Sequence, residues 1–359
     1  MEKLKINGKI IDPEALVSDE WKWVGLSETE RKPLQIIRDW QHGQTEFTFQ
    51  TSGSTGTPKQ CSFSRSQILA SAQRTLDFFQ LYQGNAVLCC LNTEFVAGFM
   101  MIIRALVGQL NLIITDPSTD PWKSLEDRID FAAVTPMQIE NGIRNHPEKI
   151  AKVGTILIGG AAIHPLLEKQ LQALPGRVYH SYAMTETLTH VALREVVGPG
   201  KSDLYTALPG VSFTVDDRNC LIIHDDLLGI IELITNDIAE LPDSKSFRWL
   251  GRFDHVINTG GIKIQVEQLE IMIGDALLQH GISANFCAVA TADIQLTNRV
   301  VLLMETHGAA LGAEEIRMLL KTRMPRYHCP SEVIFVSKIF HTKSGKVDRI
   351  KNASHYLHT

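Results

Sequence analysis

From about residue 46 to residue 182, short apolar runs alternate with longer segments whose apolar residues recur every three to four positions. The runs predict strands at 46–51, 86–91, 110–115, 131–134, 153–158 and 177–181. The periodic segments predict helices at 64–80, 96–107, 136–145 and 165–173. Ser64 offers an N-cap hydroxyl to the first helix, and Pro165 stands where the last would start. Such alternation implies an α/β body with a mostly parallel sheet and helices on both faces. After Gly198-Pro199-Gly200 the texture changes to short β-like pieces at 211–216, 220–224, 230–235 and 246–250, a small β subdomain with a turn at Asp216–Asn219. Beyond Gly251-Arg252-Phe253-Asp254 the pattern predicts a β pair (255–257, 262–264), a helix (266–279), strands (285–291, 299–305), a helix (313–322) and a strand (332–336). Two domains are expected: 1–252, and an α+β lobe over 253–359.

Composition narrows the class. Hydrophobic residues are 44% and charged residues 21% of the chain, as in a soluble globular protein. Lys+Arg number 35 against 40 Asp+Glu, a net charge of -5, which disfavours general nucleic-acid binding. The six cysteines show no C-x-x-C pair and no zinc or iron–sulfur spacing, so reduced thiols and a cytoplasmic location are expected. The apolar region from Phe95 to Ile114 is interrupted by Arg104, Gln109 and Asn111, which suits a helix followed by a buried strand and not a membrane span.

The densest chemistry lies in Thr51-Ser52-Gly53-Ser54-Thr55-Gly56-Thr57-Pro58-Lys59. Hydroxyls, flexible backbone and one cation suit a polyanion, and a strand before it with a helix opening at Ser64 is a common phosphate-binding setting. The spacing is not that of a Walker A loop, because Pro58 precedes the lysine and Gln60 follows it. Gly159-Gly160-Ala161 follows a strand, where a ring or phosphate can approach the backbone; alone, it is equally a tight turn. Tyr182-Ala183-Met184-Thr185-Glu186 ends another strand, combining a stacking ring, a hydroxyl and a carboxylate suited to Mg2+, though Thr185 and Glu186 could simply cap a helix. Asp237 ends a strand and suits ribose hydroxyls, with Arg252 downstream as a fork of donors. The tail carries Gly345-Lys346, where a lysine after a glycine can reach a site as a point charge.

In this order and spacing, Thr51–Lys59, Gly159-Gly160-Ala161, Tyr182–Glu186, Asp237, Gly251-Arg252-x-Asp254 with Gly260-Gly261, and Gly345-Lys346 resemble the adenylate-forming superfamily of acyl- and aryl-CoA ligases, carrier-protein adenylation domains and luciferases. The resemblance runs from about residue 46 to the C-terminus. It implies two half-reactions: a carboxylate attacks the α-phosphate of ATP, and a thiol then displaces AMP. By similarity, Thr51, Ser52, Gly53, Ser54, Thr55, Gly56 and Lys59 hold the β/γ-phosphates, Thr185 touches the α-phosphate, and Glu186 holds Mg2+. Tyr182 with Gly160 and Ala161 encloses adenine, Asp237 binds ribose with Arg252 beside it, and Lys346 bridges the carboxylate and the α-phosphate. The resemblance also makes Asp254 the hinge of a mobile C-terminal lobe and lets Gly260 and Gly261 line a CoA tunnel.

Against the family pattern the chain has little sequence before the phosphate loop, reads Thr235-Asn236-Asp237 for Thr-Gly-Asp, and lacks a histidine at Phe95-Val96-Ala97-Gly98. The short form, Phe95–Gly98, and Met184-Thr185-Glu186-Thr187 followed by His190 and Arg194 are similar to the compact o-succinylbenzoate–CoA ligases of menaquinone synthesis. That acid has two carboxylates, and the one not activated needs a cation or donor. Glu186, His190 and Arg194 would share a face if helical, making His190 a candidate for the second carboxylate; packing is the competing role. Gln138 and Asn141 are further polar candidates for the acyl pocket. Other aryl- or acyl-CoA ligases, a stand-alone enzyme loading a carrier protein, and a non-catalytic nucleotide binder are the alternatives, and homo-oligomerisation is left open.

Overall fold

The computed structural model describes residues 1, 3–18, 25–50, 59–282, 284–305, 311–342 and 347–357. Near-continuous apolar segments become strands covered on both faces, as the burial of Ile129–Val134 and Val153–Ile158 shows. In chain order the elements are β1 (Lys3–Ile6), β2 (Lys9–Ile11), α1 (Glu28–Gln41), β3 (Glu46–Gln50), β4 (Gln60–Ser64), α2 (Arg65–Phe79), β5 (Ala86–Cys89), α3 (Val96–Val107), β6 (Asn111–Ile114), β7 (Ile129–Val134), α4 (Pro136–Asn145), α5 (Pro147–Ile150), β8 (Val153–Ile158), α6 (Pro165–Leu171), β9 (Arg177–Ala183), β10 (His190–Val197) and β11 (Tyr205–Ala207). Then come β12 (Val211–Val215), β13 (Cys220–Asp225), β14 (Ile230–Asp243), β15 (Ser246–Arg252), β16 (Val256–Thr259), β17 (Ile262–Gln265), α7 (Val266–Gln279), β18 (Phe286–Asp293), β19 (Thr297–Glu305), α8 (Ala313–Arg323), β20 (Glu332–Val336) and α9 (Arg349–Tyr356). The chain divides into one unit of Met1–Ala162, Gln170–Phe213 and Ile223–Leu233, and another of Ile163–Lys169, Thr214–Ile222 and Ile234–Thr359.

In the first unit the strands run in the order β2-β1-β6-β5-β7-β8-β9-β10-β11. The pairs from β1 through β9 are parallel, while β2, β10 and β11 are antiparallel additions at the two ends. Capping boxes start the helices that follow strands: Ser64 with Gln67 for α2, and Thr135 with Gln138, after which Pro136 opens α4. Helix α3 buries eight of its twelve residues, so an apolar stretch with one arginine lies deep in this unit. Residues 95–114 thus form the helix and buried strand expected of them, and among the described residues no helix is long and apolar enough to cross a membrane.

Three features differ from the sequence expectation. Residues 60–64 are a strand, β4, paired antiparallel with β3 in a separate two-stranded sheet with Gln50 opposite Gln60, so a strand and not a loop leads into the helix after Ser64. Residues 190–197 are β10, not a helix, so Glu186, His190 and Arg194 share no helical face. Elements β1, β2 and α1, before Glu46, were not expected, although the Asn7-Gly8 turn between β1 and β2 and the Ser27–Glu30 capping box of α1 mark them in the sequence.

In the second unit the later part of β14 pairs antiparallel with β15, which sets Asp237 directly opposite Arg252. Strands β17-β16-β19-β18 form a sheet that β20 joins in parallel with β19. Alternation along β19 divides its side chains: Val300, Leu302 and Met304 pack with residues of α7 and α8, while Val301 and Leu303 pack with residues of α9.

Candidate functional site

In the first unit the candidate residues cluster at the carboxyl ends of parallel strands, where open α/β sheets bind ligands. Gly159-Gly160-Ala161 leaves the end of β8, with Gly160 at a φ of +87°. Tyr182 is the penultimate residue of β9, and its buried ring meets that of Tyr205 edge-on at 6.0 Å. Thr185 and Glu186 lie in a single 3-10 turn after β9. The fully buried Thr187 hydroxyl accepts the Met184 N–H at 3.2 Å and donates to the Thr189 carbonyl at 2.8 Å. Leu188 is held at a φ of +60° between the Thr187 carbonyl and the Thr189 N–H, 2.6 Å apart, the tight three-residue turn that L-residues rarely adopt. Glu186 lies two residues before the strained Leu188. Its carboxylate and Lys59 both act on the Cys61 thiol, whose pKa is raised first by burial and then by Glu186, with Lys59 opposing. The last residue of the expected phosphate loop and the expected metal carboxylate therefore bear on one point. Thr51, Ser52, Gly53, Ser54, Thr55 and Gly56 lie outside the described residues.

The acid-site candidates read differently in three dimensions. Gln138 is buried, and its amide is consumed by the fold: Nε2 donates to the Cys90 and Ser118 carbonyls at 3.1 and 2.9 Å, and Oε1 accepts the Thr135 N–H at 2.9 Å. Asn141 donates to the Thr119 carbonyl at 2.8 Å. His190 is 2% exposed with both ring nitrogens engaged, Nδ1 with Thr189 Oγ1 and Nε2 with Thr75 Oγ1, each at 3.2 Å. Burial, then the charges of Arg104 and Arg74, push its pKa well below the usual histidine range, so the ring is neutral.

Sequence reasoning gave Arg104 no role. It lies on α3, is 3% exposed, and donates from Nη2 to Thr189 Oγ1 at 2.6 Å. An arginine only donates, so the Thr189 hydroxyl proton points to His190 Nδ1. His190 Nε2–H then donates to Thr75, and Thr75 donates to the Ser71 carbonyl at 3.2 Å. Burial draws the Arg104 pKa down to about 9, leaving it cationic at neutral pH. No carboxylate pairs with it among the described residues, and its Nε–H has no acceptor there. A lone polar residue inside the apolar run 96–107 is the signal that could have found it.

In the second unit Asp237 is buried and accepts from Trp249 Nε1 at 3.1 Å, while its own N–H donates to Thr235 Oγ1 at 3.0 Å. Arg252 Nη1 lies 3.9 Å from Asp237, and its Nε and Nη2 fork onto Asp254 at 2.8 Å each. Burial raises the Asp254 pKa, but the hydrogen bonds and charge of Arg252, with His255, outweigh it and leave the carboxyl below its ordinary value. Gly260 and Gly261, at φ of +56° and +81°, are the two-residue turn between β16 and β17, a type I′ geometry that demands glycine-like residues. Lys346 lies outside the described residues, but the stems of its segment are described. His341 bridges Val347, and the Asp348 N–H donates to the Phe340 carbonyl at 2.9 Å. Buried Asn352 accepts the Phe340 N–H and donates to the carbonyls of Phe340 and Asp348. The neighbouring Arg349 forks onto Glu270 at 2.6 and 2.7 Å.

The family model for AMP-binding enzymes matches residues 11–225. The chain is a member of the AMP-binding enzyme family. A solved acyl-CoA synthetase (AMP-forming)/AMP-acid ligase II-like protein from Dyadobacter fermentans is 32% identical, with 92% of this chain and 95% of that one covered at a TM-score of 0.60. The 2-succinylbenzoate–CoA ligase of Listeria monocytogenes is 21% identical over 351 residues, 91% of this chain and 73% of the relative. Bacitracin synthase 1 of Bacillus licheniformis is 24% identical over 366 residues, and there the chain spans only 7% of the relative's length. Membership in the AMP-binding family and the solved relative bear out the adenylate-forming α/β fold expected from the motifs.

Proposed function

We propose that this family member is an ATP-dependent acid–CoA ligase working through an acyl-adenylate, with o-succinylbenzoate as the favoured acid. The roles follow the motifs: residues 51–59 for the β/γ-phosphates, Thr185 for the α-phosphate, Tyr182 with Gly160-Ala161 for adenine, Asp237 and Arg252 for ribose, and Lys346 for the two anions that must meet. Residues 253–359 are proposed as the moving lobe, with Asp254 at its hinge and Gly260-Gly261 beside the CoA arm. Among the described residues no three acidic, histidine or cysteine side chains form a preformed metal centre. Mg2+ takes one or two carboxylates and completes its shell with substrate phosphates and water, so the Glu186 carboxylate would suffice to hold it. Bound there, Mg2+ would offset phosphate charge. No general base is needed, since the attacking carboxylate is already ionised at neutral pH.

Arg104 is the observation that carries the choice of acid. A buried arginine with no acidic partner among the described residues and a spare N–H there is costly unless an anion joins it, and a dicarboxylic acid brings one carboxylate to react and another to pair. His190 is thereby recast as the residue that orients Thr189 beneath Arg104. Replacing Arg104 with leucine is expected to raise KM for o-succinylbenzoate at least about ten-fold while sparing KM for ATP, because a charged hydrogen bond contributes about 1.5–3 kcal/mol. Pyrophosphate release over a panel of aryl acids checks this. Equal turnover of mono- and dicarboxylic acids by the unaltered protein would remove the assignment. The similarity to bacitracin synthase 1 favours a second reading, adenylation for a carrier protein. Thioester formation with free CoA against a phosphopantetheinyl protein decides between the two.

A further inference from the structure

Behind the proposed adenine residues lies a buried polar relay that the motifs do not include. His180 precedes Tyr182 by two positions on β9, so the two side chains leave the same face of the strand. His180 Nε2 lies 2.9 Å from the Ala161 carbonyl, which only accepts, so Nε2 carries the ring proton. Burial, then Arg194 directly opposite across the β9–β10 ladder, lowers the His180 pKa to about 4, so the ring is neutral and Nδ1 is an acceptor. The Tyr205 hydroxyl donates to it at 2.7 Å. The same Tyr205 ring lies edge-on to Tyr182. Ser181, between the two, faces the other way and donates to the Ile158 carbonyl at 3.1 Å. One side-chain pair therefore reaches both the backbone of the Gly159–Ala161 turn and the aromatic ring at the end of β9. His180, Tyr205 and Tyr182 are each at least nine-tenths buried, so this polar set is built into the unit and not laid on its surface. The relay uses one lone pair of the Ala161 carbonyl and leaves the second.

We propose that His180 and Tyr205 are positioning residues for the nucleotide base, holding the Ala161 carbonyl and the Tyr182 ring at the spacing a purine with an exocyclic amino group requires. A carbonyl acceptor favours the amino group of adenine and opposes the O6 acceptor of guanine. The inference rests on the assignment of adenine to Tyr182 and Gly160-Ala161, so its test separates the two. Titration calorimetry with Mg2+ and α,β-methylene-ATP, or the GTP counterpart, reads affinity without requiring the right acid.

Tyr205→Phe is expected to weaken the ATP analogue about five-fold and to narrow its preference over the GTP analogue, with a melting temperature lowered by only a few degrees, since one buried hydrogen bond contributes about 1 kcal/mol. His180→Leu should weaken it further, and His180→Gln, whose amide can both donate and accept, should restore much of the loss. Unchanged affinity in Tyr205→Phe and His180→Leu, with a clear loss in Tyr182→Ala, would overturn the positioning role and keep the adenine assignment. A fall in affinity that merely tracks melting temperature across the variants would also overturn it. If Tyr182→Ala binds as well as the unaltered chain, the adenine assignment itself falls.

Discussion

Replacing Lys346 with alanine is expected to slow adenylate formation by roughly a hundred- to a thousand-fold, the usual cost of removing one charge-stabilising donor. The cause is specific to the first half-reaction. A carboxylate and a triphosphate repel as they approach, and a cation between them acts most strongly where charge develops on the α-phosphate. Attack of a thiol on a finished adenylate has no such pair of anions, so transfer from a supplied acyl-adenylate should stay largely intact. Pyrophosphate exchange measures the first step, and thioester formation from synthetic adenylate the second. Equal loss in both would remove Lys346 from its role. Asn352 and the Arg349–Glu270 fork secure both stems of the lysine's segment, so the alanine variant should alter charge without loosening its anchorage.

Replacing Arg74 with alanine is expected to cost the first unit about 3–5 kcal/mol, because it strands a carboxylate in the interior. Arg74 on α2 and Asp225 at the end of β13 form a bidentate pair at 3.0 and 2.9 Å, with side chains 2% and 0% exposed. Asp225 Oδ1 also accepts the N–H groups of Leu227 and Leu228 at 3.1 and 3.3 Å, so this one carboxylate orders the turn after β13. Removing both charges together, as Arg74→Met with Asp225→Leu, should cost much less than the sum of the single changes, since neither partner is left alone. Urea unfolding, with hydrogen exchange at the α2 amides reporting on this unit, measures both. A loss below about 1 kcal/mol in Arg74→Ala would mean that water reaches Asp225 and that the pair behaves as a surface ion pair.

Several elements with local signals were legible in the chain. Helix α4 has Thr135, Pro136 and Gln138 at its start, α3 is a uniform apolar segment, and α7 and β20 fall where periodicity sets them. Some local signals went unread, namely the Asn7-Gly8 turn of β1 and β2 and the Ser27–Glu30 capping box of α1; the other misses depend on partners distant in sequence. Ala192, Leu193, Arg194 and Glu195 are helix-prone, yet they form β10 because β9 offers a ladder, with register shifts at two places. Strand β4 was hidden because its pairing with β3 spans the 51–58 segment. At the candidate site, the residues proposed to meet ligand directly, such as Tyr182, Glu186 and Asp237, were named from motif order. The residues that act through burial were not. Arg104 stands out because no acid among the described residues pairs with it, and His180 because the hydroxyl that donates to it belongs to Tyr205, 25 positions away.

Arg252 grips Asp254 through two short bonds while standing 3.9 Å from Asp237. One guanidinium thus faces both the acid proposed for the sugar and the acid proposed for the pivot. A nucleotide oxygen that drew Arg252 toward Asp237 would do so at the expense of its hold on Asp254, and reciprocity makes the influence run equally in reverse. Freedom at the pivot and tightness of the sugar would then be two readings of a single tug-of-war over one side chain.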